Sequence, residues 1–144
     1  MPRTAALRFA QAVVLLNGLT YLGVGAALLL APEWFFANIG NFPPFNRHYS
    51  GDLGSIQLAL GALLLYTFRN PVAHAGVLGV AALGGTLHTL NHAVDAARGL
   101  GGWDQTLALA VLAALTVAAL WQAVAARQDV ATARIHPAGT GIRA

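Results

Sequence analysis

His88, Asn91, His92 and Asp95 are spaced i, i+3, i+4, i+7, so on a helix four polar side chains share one face. The positions around them are filled mainly by Ala, Leu, Gly and Val. Two histidines one turn apart can grip a single metal ion, and Asp95, Asp52 or His48 would complete a nitrogen and oxygen shell suited to zinc, iron or manganese. The chain has no cysteine, which disfavours a copper(I) site and removes disulfides and thiol nucleophiles. The same imidazoles and carboxylates also suit a small ligand such as a quinone headgroup, because histidine titrates near neutral pH and can exchange protons with it. Haem held by histidines of facing helices is a variant of the metal reading. The remaining explanation is purely structural. Polar groups on an apolar helix turn inward and pair, each interhelical hydrogen bond contributing about 0.6 kcal/mol.

A second set lies far away in sequence. His48 and Asp52 are again i, i+4, Ser55 continues their face, and Gln57 lies deeper, level with His88. Asn91, Ser55, Gln57 and Glu33 are the residues expected to orient or support the five principal candidates His48, Asp52, His88, His92 and Asp95. Ser50 or Ser55 beside His48 and Asp52 has the letters of a nucleophilic triad, but no strand-turn-helix elbow surrounds them. Nothing in the pattern assigns a reaction.

The elements that must carry these groups follow from composition. Of 144 residues, 57% are hydrophobic and 9% charged, where an ordinary soluble domain carries roughly 25% charged residues. Such a chain cannot make a polar skin, and its partner is expected to be the lipid bilayer. There is no lysine, and the arginines stand singly beside apolar runs, a distribution that speaks against nucleic acid.

Four apolar runs, at about residues 5–31, 51–68, 71–97 and 103–126, are each long enough to cross a hydrocarbon core of roughly 30 Å at ~1.5 Å per residue. Short connections between them predict an all-α, integral-membrane, antiparallel four-helix bundle forming one domain over residues 1–127. Gly18, Gly23 and Gly25 would let a neighbour approach the first helix closely. Pro32 ends that helix and can restart a short one along the membrane surface, anchored by Trp34, Phe35 and Phe36, with Trp103 at the same level. Phe42, Phe45 and Tyr49 extend the aromatic set, as anchors or as the roof of a pocket. Residues 128–144 are expected to be a mobile tail.

Arginine placement sets the orientation. Arg3, Arg8, Arg69, Arg127, Arg134 and Arg143 fall on one side of a four-crossing chain, and Arg47 and Arg98 on the other. Both termini are therefore expected in the cytoplasm, which places the His and Asp candidates near the outer face of the cytoplasmic (inner) membrane. His74 would lie near the inner surface, and His136 falls in the tail. A non-enzymatic accessory subunit, with small-residue faces docking another membrane protein or a second copy, is the alternative to a ligand site.

At Asn46-Arg47-His48-Tyr49-Ser50-Gly51-Asp52-Leu53-Gly54, followed by Gln57-Leu58-Ala59-Leu60-Gly61, and at His88 to Asp95, the chain resembles small four-helix bacterial membrane proteins. It looks like the DoxX-like group and its neighbouring families over most of residues 5–126. That resemblance implies a four-helix membrane fold and, because DoxX-like relatives are linked to quinone-dependent sulfur oxidation and redox partnerships, a quinone as ligand. It carries over no catalytic residue.

Overall fold

The computed structural model describes residues 3–135, and these are all-α, with no strand among them. The helices are α1 (Arg3–Leu30), α2 (Pro32–Asn38), α3 (Arg47–Thr67), α4 (Ala75–Ala97) and α5 (Trp103–Ile135). By length and composition, α1 and α5 alone qualify as membrane spans, over Thr4–Leu30 and Trp103–Asp129. Polar groups lower the mean hydropathy of the other two long helices: His48, Asp52, Ser55 and Gln57 in α3, and His88, Asn91, His92 and Asp95 in α4.

Three boundaries differ from the sequence expectation. The second long helix starts at Arg47 rather than 51, because the Asn46 side chain accepts a hydrogen bond from the Tyr49 backbone N–H at 3.1 Å and caps it. The third starts at Ala75 rather than 71, because Asn70 accepts from the Ala73 N–H at 3.0 Å and holds the intervening residues in turns. The fourth continues to Ile135, so the segment expected to be a mobile tail from 128 onward is helical over its first part. Neither glycine nor proline interrupts it over Trp103–Ile135. Residues 136–144, with His136 and Arg143, lie outside the described residues.

α1 sits at the centre, with α3 on one side and α5 on the other, and α4 packs along α5. On α1 and α3 the pairs Gly18/Gly61 and Gly25/Gly54 face each other, which fixes an antiparallel crossing with backbone against backbone. A methyl built on Gly25 would lie 2.8 Å from both the Gly54 carbonyl oxygen and the Leu58 nitrogen. Gly23 does not belong to this seam. It faces open space, because it falls on another side of the helix from Gly18 and Gly25, which are two turns apart on one face.

A second packed region joins α1, α4 and α5 through Ala10, Val13, Val14, Ala75, Leu78, Ala119 and Ala123, at the end where α1 begins and α5 nears its close. Arg127 donates to the Ala73 carbonyl at that end, and Gln105 donates to the Ile39 carbonyl at 2.5 Å at the other. The interior is made mostly of small residues, whereas Leu16, Leu19, Val80, Leu83, Leu87, Leu90, Leu107, Val111 and Trp121 are exposed. α3 and α4 follow one another in the chain but touch only lightly, and the cleft between them is where the candidate residues have to be judged.

Candidate functional site

The level of each candidate and the direction it points have separate causes. Level follows from connectivity. Direction on α3 follows from the glycine seam, because Gly54, Leu58, Gly61 and Leu65 must face α1. His48, Asp52, Ser55, Ala59, Ala62 and Tyr66 then form an exposed stripe on a different flank from Leu60 and Leu64, which look toward α4. His48 Nε2 and Asp52 Oδ2 are 3.5 Å apart, yet their side chains are 89% and 65% exposed. Ser55 donates to the Gly51 carbonyl of its own helix at 2.9 Å.

The expected convergence of His48 and Asp52 with His88, His92 and Asp95 therefore does not occur. Among the described residues no three His, Asp or Glu groups come together where they could hold a metal ion. Glu33, in the first turn of α2, is exposed as well.

What does come together lies on α4. The His88 and His92 rings meet edge to face, with centroids 4.6 Å apart and planes at 75°. Phe42, from the connector between α2 and α3, packs edge-on against His92 at 5.6 Å and 87°. A methyl on Gly101 would lie 3.5 Å from the Phe42 ring, so this phenyl sits between the turn after α4 and the histidine pair. Asn91 Nδ2 donates to Asp95 Oδ2 at 3.4 Å. His92 and Asp95 are half-buried, and His88 and Asn91 are exposed on the cleft side.

Below this pair the cleft closes into a cavity of about 110 Å³, walled by Leu60, Leu64, Val77, Ala81 and Gly84, with Tyr21 of α1 among them. His88 lies one turn beyond Gly84 on α4, and Gln57 one turn before Leu60 on α3. The helices run antiparallel, so both polar residues stand at the same end of the cavity. Gln57 Oε1 is buried and has no hydrogen-bond partner among the described residues.

Tyr21 lines this cleft, although the spacing of the His and Asp residues does not point to it. Tyr21 had a signal, since it shares the modest polar side of α1 with Asn17, whose buried amide donates to the Val13 carbonyl at 3.0 Å. Phe42 belongs to the aromatic set read from the sequence as anchors or as the roof of a pocket, and its ring lies against His92.

Of the expected surface anchors, Trp34 and Trp103 are exposed, whereas Phe36 is half-buried and packs on Phe45 at 5.3 Å. Phe35 is half-buried and folds back on Gly40. At the opposite end His74 stacks on Tyr66, with centroids 5.2 Å apart. A shallow open groove of about 510 Å³ runs along α5, lined by Thr86, Ala113, Ala114, Val117, Trp121 and Gln122, whose Oε1 is also buried without a partner.

Fold and site together define a helical bundle with an amphipathic cleft: two imidazoles packed edge to face at one end, with a phenyl against His92, and an apolar cavity beneath. No protein-family model, curated protein or solved structure matches the chain.

Proposed function

We propose that this is an integral protein of the cytoplasmic membrane, crossing it with α1, α3, α4 and α5, both termini inside. We further propose that the cleft between α3 and α4 binds a small organic ligand near the outer face. The observation that carries this reading is the inverted packing. Soluble proteins bury their large aliphatic and aromatic side chains, whereas here alanine and glycine form the contacts and leucine, valine and tryptophan point outward on all four long helices. Membrane bundles pack in this way, since lipid removes the penalty for outward leucines and close backbone approach supplies the attraction.

The ligand reading rests on His88, His92, Gln57 and Tyr21 around one cleft, and on Phe42 above it. Two imidazoles alone are a short shell for zinc, iron or manganese, so a small organic molecule fits the grouping better than a metal ion. A quinone, with polar oxygens on a flat ring and an apolar tail, matches a polar end joined to an apolar cavity. The likeness to DoxX-like proteins enters this proposal on the same footing. Protein purified in mild detergent should carry a near-stoichiometric organic molecule, detected by mass spectrometry after extraction. In His92→Ala its content should fall about tenfold, the loss of a hydrogen bond together with ring contacts. Wild-type protein free of any such molecule would end the ligand reading.

A second reading is favoured by the α5 groove. Ala113, Ala114 and Ala118 there leave room for another helix, and Gln122 offers an unpaired carbonyl oxygen. An accessory subunit or a homo-oligomer would run as a discrete complex in mild detergent, which separates this reading from a self-sufficient ligand binder.

A further inference from the structure

We infer that the cavity among α1, α3 and α4 takes an amphiphile that joins a slender apolar part to a hydroxyl or N–H group, with Gln57 receiving the donor. The inference rests on the reading that these helices cross the bilayer, and it adds the chemistry of the ligand.

The cavity holds about 110 Å³, and its walls are almost wholly apolar. A site without several polar partners does not retain water, whereas apolar voids of roughly 150 Å³ take up a molecule the size of benzene. One small ring or a short chain segment therefore sets the scale of what can enter. The space is kept open by side-chain choice. The exposed flank of α4 carries Leu83, Leu87 and Leu90, whereas Val77, Val80, Ala81 and Gly84 line the cavity, and a methyl on Gly84 would meet nothing within 4 Å.

At the polar end the unmet demand has a sign. The buried, unpaired atom of Gln57 is a carbonyl oxygen, which only accepts. A buried acceptor without a donor is a standing penalty, relieved when a bound molecule supplies O–H or N–H. Alcohols, phenols, amides and the reduced, quinol form of a quinone qualify, while ethers and esters do not. The Tyr21 side chain shares the cavity wall, and its phenol is the chain's own hydroxyl closest in kind to the group the site requires.

The test uses a pair of photoprobes, a trifluoromethyl-diazirine phenol and its methyl ether, on the full chain in lipid nanodiscs, with adducts mapped by peptide mass spectrometry. The phenol should label the segments around Tyr21 and Gly84 about five- to tenfold more than the ether, the range expected for one neutral hydrogen bond. That excess should vanish in Gln57→Leu, which removes the acceptor, and in Ala81→Phe, which fills the space. Equal labelling by both probes, or an excess that survives both substitutions, overturns the inference. Comparison of the two probes on the wild-type chain decides the matter even if a variant fails to fold. Both probes should also mark Leu83 and Leu87 from the lipid in every folded variant. If those two stay unmarked, it is the membrane reading of α4 that fails.

Discussion

Gly61→Ala is expected to destabilise the bundle severely, although it adds one methyl group to a helix. The added carbon would lie 2.8 Å from Leu22 Cγ and 2.9 Å from both the Gly18 carbonyl oxygen and the Leu22 nitrogen. A side chain can turn away, but two of these three atoms belong to the backbone of a packed helix. α1 and α3 would have to separate, and because both are rigid rods the Gly25/Gly54 contact would open with them. Overpacking of well-filled interiors costs about 1–3 kcal/mol, and a clash against backbone belongs at or above the top of that range. Gly23→Ala is the matched control. Nothing lies within 4 Å of its added methyl, so the gain in helix propensity should stabilise the chain by about 0.5–1 kcal/mol. Unfolding of the purified protein by a denaturing detergent measures both, and shifts of the same sign would contradict the glycine seam.

Leu87→Arg should prevent α4 from residing in the membrane. Leu87 is 57% exposed near the middle of the helix and is not among the residues that line the cavity. If lipid surrounds it, arginine there costs roughly 2.5–3.5 kcal/mol on insertion, a shift of about two orders of magnitude in the equilibrium. If water surrounds it, an exposed leucine replaced by arginine changes stability by about 0.5 kcal/mol at most. Leu100→Arg, in the turn after α4, is the control and should leave insertion intact. Alkaline extraction of membranes from cells expressing each variant separates the outcomes. Retention of Leu87→Arg at wild-type levels would remove α4 from the bilayer.

The sequence shows the long helices, their punctuation by Pro32, Arg69 to Pro71 and Arg98 to Gly102, and the seam glycines Gly18 and Gly25, because these depend on hydropathy and local backbone preference. It also puts His48 and His88 near one end of the bundle, since connectivity alone sets that. The rotation of each helix about its axis is not legible, because that depends on which neighbour it packs against. Gly54 and Gly61 turn α3 toward α1, carrying His48 and Asp52 outward, while His88 continues the line from Ala81 and Gly84 into the cleft. Helix ends were partly readable. Asn46 is a favoured capping residue directly before Arg47, a signal that points to the earlier start of α3. Gln57 resists a reading from sequence for a different reason: its spacing fixes its level, and only the packed structure leaves its oxygen without a donor.

The central claim is four membrane crossings with both ends of the chain in the cytoplasm. Because the protein has no cysteine, single substitutions report directly on access. Asn41→Cys, Ala73→Cys and Leu100→Cys place a thiol in each of the three exposed connections. A membrane-impermeant maleimide applied to intact cells should label the first and last, and reach Ala73→Cys only after the membrane is permeabilised. Labelling of Ala73→Cys in intact cells, or of none of the three before permeabilisation, would contradict the account.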